Sequence, residues 1–143
     1  MLKNIKLKNF RSFETAEFDL SAPSTVFSGA NGRGKTSVLE AVYYVSTLRS
    51  FRTSKIRELR RIGSKGFELR LAMDRGGRWN RELKVEDLTE RRLFFDNVPV
   101  RRASEFADSF KCVVFLPDDP VILTGSPVFR RRFDDFAALA AVF

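Results

Sequence analysis

The sequence predicts an α/β fold in which a glycine-rich loop joins a strand to a helix, coupled to an antiparallel β subdomain. Three observations predict it. Gly29-Ala30-Asn31-Gly32-Arg33-Gly34-Lys35-Thr36 fits the spacing G-x-x-x-x-G-K-[ST]. From Thr36 onward, Val38, Ala41, Val42, Val45 and Leu48 recur at the spacing of a helix with one buried face. Phe67, Leu69, Leu71 and Met73 alternate with polar residues, turn at Gly76-Gly77 and return through Trp79, Arg81, Leu83 and Val85, which is the pattern of a β-hairpin.

In chain order, residues 1–9 alternate charge and apolarity around Ile5 and Leu7, as a half-buried strand does, and residues 14–20 read as its hairpin partner. Ala22-Pro23-Ser24 turns the chain into Thr25-Val26-Phe27, expected as a short strand feeding the loop. After the first helix comes a basic stretch, Arg49, Arg52, Lys55, Arg57, Arg60 and Arg61, opposed in sequence only by Glu58. The main hairpin is followed by a second one over residues 92–101, turning at Asp96-Asn97, so the β subdomain spans about residues 66–101. Residues 103–110 suit a short amphipathic helix, and residues 111–116 a buried strand that encloses the thiol of Cys112. A last helix is expected from Ser126-Pro127, a good N-cap and first-turn pair, with Phe129, Phe133, Phe136, Ala140 and Phe143 on one face. The chain stops inside that apolar helix without a capping glycine, the pattern of a fragment that lacks a C-terminal lobe.

Composition narrows the chemistry. With 43% hydrophobic residues, 15 of all residues being Phe, the 143-residue chain can build one modest core. Lys and Arg total 26 against 18 Asp and Glu, a net charge of +8 that suits a polyanionic partner or solubility alone. The absence of His excludes Ser/His, Cys/His and His-metal chemistry from this segment. A single cysteine, no apolar stretch behind the basic N-terminus and no run long enough to span a bilayer lead to the expectation of a soluble cytoplasmic chain with no membrane partner.

The glycine loop has a direct physical reading. Gly29, Gly32 and Gly34 permit backbone angles that a Cβ would forbid, so that consecutive N–H groups can close around phosphate oxygens at the positive end of the following helix. Lys35 is placed to reach the β- and γ-phosphates and the Thr36 hydroxyl to ligate Mg²⁺. The nucleotide-binding set is therefore Gly29, Ala30, Asn31, Gly32, Arg33, Gly34, Lys35, Thr36 and Ser37, with Arg33 read as a loop-surface charge. Val113 to Asp119 places apolar residues before two carboxylates, as a Walker B strand does, but Pro117 breaks the strand just before Asp118 and Asp119. Those two acids are expected to begin a turn or cap a short helix at Pro120, and an indirect contact to nucleotide or Mg²⁺ is left open. No catalytic residue is assigned.

Several segments together resemble one family. Asn9-Phe10-Arg11-Ser12-Phe13, the glycine loop, Ser37-Val38-Leu39-Glu40-Ala41-Val42-Tyr43, and Leu48-Arg49-Ser50-Phe51-Arg52-Thr53 look like the N-terminal part of RecF, a recombinational repair ATPase related to SMC proteins and ABC-type heads. Phe115-Leu116-Pro117-Asp118-Asp119, Gly125-Ser126-Pro127 and Arg130-Arg131-Arg132-Phe133-Asp134 resemble later RecF segments, with Leu116, Asp118 and Pro120 departing from the usual Ser, Glu and Leu. Asn31 matches the loop common to SMC-like heads.

The resemblance implies the N-terminal lobe of a P-loop NTPase with ATP and Mg²⁺ as cofactors. It further implies an ATP-dependent homodimer that binds DNA at gapped or single-strand/double-strand junctions beside other recombination mediators, in repair, replication and the SOS response. It also suggests that Arg11 lies near the nucleotide, a reading that stands beside that of a solvated strand-end arginine. Arg49, Arg52, Lys55, Arg57, Arg60 and Arg61 become the candidate DNA contacts, beside the reading of a solvated surface. The ABC signature, the Walker B acids and the D-loop are not found in this sequence, so weak ATPase activity is expected of the intact family and negligible hydrolysis of this chain alone. A head fragment of another SMC/ABC-type repair ATPase, or a truncated product without independent activity, stays open as an alternative. A self-contained GTPase is disfavoured because N-K-x-D is lacking.

Overall fold

The alternating N-terminal segment forms β1 (Leu2–Phe10) and pairs antiparallel with β2 (Phe13–Asp19), in a computed structural model that describes residues 1–74 and 80–116. Its two compact units are Met1–Phe110 and Lys111–Phe143. In the first unit, β3 (Phe67–Asp74) and β4 (Asn80–Asp87) form the main hairpin, and β5 (Arg91–Phe95) with β6 (Val98–Val100) the second. The turn expected at Gly76-Gly77, and Trp79, lie outside the described residues. Asp96 and Asn97 both adopt positive φ (47° and 65°), as a two-residue hairpin turn matching the right-handed strand twist requires.

These strands form one continuous antiparallel sheet in the order β2-β1-β3-β4-β5-β6. Its register puts Ile5 opposite Leu71 and Leu7 opposite Leu69, while Leu71 and Leu69 face Leu83 and Val85 across the next ladder. Period-two alternation therefore collects the large apolar side chains of β1, β3 and β4 on one face. That face is covered by α1 (Lys35–Thr47) and α2 (Ala103–Ala107), α1 packing on β3 and β4 and α2 on β5 and β6. Val38, Ala41, Tyr44 and Val45 of α1 and Phe106 of α2 are buried against the sheet. The opposite face carries charge: Arg70 bonds Glu68 at 2.6 Å and reaches Glu82 at 3.5 Å, and Lys84 bonds Glu86 at 2.9 Å.

Two expected strands do not form. Residues 25–27 carry no strand, and Val26 is 85% exposed. Both sheet edges, β2 and β6, are made by other segments, so no ladder partner satisfies its backbone. Residues 111–116 carry no strand either: Val113 and Phe115 are 73% and 85% exposed, and Cys112 is half-buried rather than enclosed. Apolar runs of three or four residues set a preference, but a strand exists only where a neighbour completes its hydrogen bonds. The last helix, its phenylalanine stripe, and Asp118 and Asp119 lie outside the described residues. No helix among the described residues is long and apolar enough to cross a membrane.

Candidate nucleotide-binding site

The glycine loop leaves the sheet after β2 and ends on the first turn of α1. Gly29, Gly32 and Gly34 all take positive φ, at 139°, 80° and 91°. At Gly34 the requirement is also steric, because a Cβ there would lie 2.5 Å from Cζ and 2.8 Å from Cε2 of Phe13. Ser12 and Phe13 follow Arg11 at the β1–β2 turn, so this turn packs directly against the last glycine of the loop. Phe13 is fixed in turn by an edge-on contact with Phe18, which packs edge-on against Phe27.

Helix α1 begins at Lys35, one residue before the sequence reading, with Gly34 as its N-cap and no side chain bonding the first-turn amides. Those donors, with the helix dipole, face the exposed loop and suit an anion. Lys35 folds back over the loop, its Nζ donating to the carbonyls of Gly29 at 2.7 Å and Ala30 at 2.9 Å. An ammonium held over a ring of backbone groups is positioned to exchange those carbonyls for phosphate oxygens. Ala30, Asn31, Arg33 and Thr36 are exposed around it, while Ser37 is buried at the start of the helix face.

About one and a half turns further along α1 lies a side chain that sequence reasoning missed. Glu40 is fully buried, and its carboxylate accepts bonds from Arg11 Nε at 2.8 Å, Arg11 Nη2 at 2.5 Å and Ser50 Oγ at 2.5 Å, with Arg52 Nη1 at 3.4 Å. The Arg11 pair is bidentate, the geometry that a planar guanidinium and a carboxylate favour. Arg11 Nη1 also donates to the Glu58 carbonyl at 2.8 Å, and the Arg11 amide to the Leu59 carbonyl at 2.7 Å. Arg11 is thus neither a solvated strand-end charge nor free in the loop, because its guanidinium ties the β1–β2 turn to α1 and to the 3₁₀ turn at Ile56–Leu59. A signal existed: Glu40 is the one charged residue between Lys35 and Arg49, and it lies at helical spacing from buried Ser37 and Tyr44.

The basic segment is less free than its sequence suggests. Besides the Arg52–Glu40 contact, Arg60 Nε donates to Asp87 at 2.7 Å, Arg61 pairs with Glu14 at 3.2 Å and Lys55 with Glu58 at 3.8 Å. The expectation that Glu58 alone opposes these charges is corrected, since Glu14, Glu40 and Asp87 arrive from elements remote in sequence. Arg49 and Arg57 are exposed and make no ion pair among the described residues. The Thr53 hydroxyl bonds Glu58 at 2.6 Å and holds that carboxyl below its usual range. Near the far end of α1, burial pushes the Tyr44 hydroxyl above its ordinary value, partly opposed by Arg91.

The AAA domain family matches residues 4–111. The DNA replication and repair protein RecF of Desulfitobacterium hafniense is 35% identical over 139 residues, covering 94% of this chain and 37% of that protein. RecF of Kineococcus radiotolerans is 37% identical over 133 residues, covering 92% of this chain and 34% of its own length. The chain thus spans little more than a third of the curated relatives it matches. Among solved structures, the recombination mediator protein RecF–ATPrS of the RecFOR pathway superposes with a TM-score of 0.88 at 25% identity, over 98% of this chain and 38% of that one. A structure from work on ATP-driven dimerization of SMC ATPases superposes with a TM-score of 0.76 at 21% identity, a likeness of fold. The fold is accordingly the N-terminal lobe of an AAA/SMC-like ATPase head, built on an antiparallel sheet.

Proposed function

Because this chain belongs to the AAA domain family and is a RecF homologue, we propose that its glycine loop binds ATP as part of a RecF-like recombination mediator ATPase. The observation that carries this reading is Lys35, held at 2.7 Å and 2.9 Å over the carbonyls of a loop whose three glycines adopt positive φ, at the uncapped start of α1. Gly29 to Ser37 surround the β- and γ-phosphates in this reading, with Lys35 neutralising charge and the Thr36 hydroxyl facing Mg²⁺. The residues fit the group: the first-turn amides of α1 carry no side-chain cap, a Cβ at Gly29 or Gly32 would meet no atom within 4 Å, and Gly34 lets Phe13 close the wall. When bound, nucleotide with Mg²⁺ would supply the phosphoryl group, and Gly29 to Ser37 would hold and orient it.

In the longer protein, this lobe pairs with a second copy around nucleotide. The closed pair binds gapped DNA and single-strand/double-strand junctions alongside other mediators, in recombinational repair, replication and the SOS response in the cytoplasm. The similarity to RecF–ATPrS of the RecFOR pathway supports this assignment. The test is equilibrium binding of a fluorescent ATP analogue with Mg²⁺ to the wild-type chain and to Lys35→Ala. Loss of a charge-assisted phosphate contact is expected to weaken binding at least about 10-fold. Equal affinity in both proteins discards the nucleotide-site assignment.

A further inference from the structure

We propose that the groove at the β5–β6 corner of the sheet grips the phosphodiester backbone of duplex DNA, an inference that rests on the DNA-binding reading above and locates its contact surface. The groove has a volume of about 510 Å³ and is lined by Arg91, Arg92 and Arg101, with no carboxylate in its walls. Leu93 pairs with Val100 across the ladder, so Arg92 and Arg101 emerge side by side where β6 ends. Like charges brought together at a sheet edge cost stability unless an anion relieves them. Both arginines are exposed and form no ion pair among the described residues. The carboxylate opposite Arg92 in the neighbouring ladder, Glu86, is engaged by Lys84 at 2.9 Å.

Arg91, one residue before Arg92, turns to the other face of β5, where its Nη1 donates to the Leu48 carbonyl at 3.3 Å beside exposed Arg49. Arg52, Lys55, Arg60 and Arg61, in contrast, spend their charge on Glu40, Glu58, Asp87 and Glu14. The open cationic pair at this corner is therefore Arg92 with Arg101, whereas the run of residues 49–61 keeps only Arg49 and Arg57 without an ion pair among the described residues. The partner is read through phosphates rather than bases. Phe94, the aromatic in the groove, carries Lys84 Nζ at 4.0 Å from its ring centre, so a base stacking on that face would have to displace the ammonium.

The test is a fluorescence-anisotropy titration of a random-sequence duplex with the chain, repeated across salt concentrations. The wild type, Arg92→Ser/Arg101→Ser and the charge-keeping Arg92→Lys/Arg101→Lys are compared, with thermal melts and ATP-analogue binding to confirm intact folding. Removing two phosphate contacts is expected to reduce the slope of log K against log[salt] by about 1.8, so that from about 50 to 200 mM salt the wild type loses about 12-fold more affinity than the Ser variant. The Lys variant is expected to retain the wild-type slope, and Arg60→Gln to leave it unchanged. A Ser variant that melts like the wild type and keeps its slope overturns the groove while leaving the DNA-binding reading standing. A wild-type chain that binds ATP but no duplex overturns the groove together with that reading, and binding confined to single strands overturns the choice of duplex.

Discussion

Replacing Glu40 by Gln tests whether the Arg11–Glu40 pair organises the wall of the loop. Glu40 has no exposed surface and receives two bonds from Arg11, one from Ser50 and a longer contact from Arg52. Gln keeps the volume but withdraws the charge, leaving Arg11, whose side chain is only 17% exposed, without its counter-ion. Removing one member of a buried pair costs about 3–5 kcal/mol, and the Glu58 carbonyl that Arg11 still holds places the expected loss near the lower end, about 3 kcal/mol. Set against a total stability of about 5–15 kcal/mol, this lowers Tm by roughly 10 °C for a chain of this size. Urea unfolding followed by circular dichroism measures it, with Arg11→Met/Glu40→Leu as the companion. Because an apolar replacement removes both charges, the double variant is expected to recover more than half of the loss. A Glu40→Gln loss below about 1 kcal/mol, or a double variant worse than the single, would refute the reasoning.

The remaining predictions use other parts of the same unit. Gly34→Ala drives a methyl group into the Phe13 ring at a φ of 91° and should cost about 1–3 kcal/mol in urea unfolding while weakening ATP-analogue binding. Tyr44→Phe removes a buried hydroxyl that lies beside Arg91 without meeting hydrogen-bond geometry to any described residue, so stability should change by no more than about 1 kcal/mol. The folded chain also retains the Tyr44 proton to a higher pH than the unfolded chain does. Wild-type stability should therefore fall as pH rises past about 10, in part through this residue, and the Phe variant should lack that part of the alkaline loss in pH-dependent melts. The purified chain should release phosphate from ATP at a rate indistinguishable from Lys35→Ala, and robust turnover abolished by that substitution would overturn the expectation.

The hairpins, α1 and the short α2 were legible because each is announced by a local pattern: alternation at residues 67–73, helical spacing from Val38 to Leu48, Asp96-Asn97 at a tight turn. The conformation of the loop was legible for the same reason, its positive-φ glycines and Lys35 being contiguous in sequence. What was not legible depends on partners remote in the chain. Thr25-Val26-Phe27 and residues 111–116 have strand composition but lack a ladder neighbour, a matter that composition does not encode. Likewise, the free or neutralised state of each arginine in residues 49–61 is decided by Glu14, Glu40 and Asp87, which only the folded sheet brings near. Glu40 carried a faint signal, a lone carboxylate on a buried helix face, that can be recognised without knowing its partner.

The joining of β1 to β3 has a kinetic consequence. Every other ladder in the sheet links strands adjacent in sequence, whereas β1 and β3 are separated by β2, the glycine loop, α1 and the basic segment. Hairpins close early because their loops are short, and a junction across so long a span forms only after a large loss of chain entropy. The β3–β6 meander can therefore assemble first and serve as the template on which β1 docks, with α1 consolidated at the same moment. The glycine loop acquires its shape at this last closure, so, on the proposed function, nucleotide added during refolding should hold the chain in its final state without hastening the early steps.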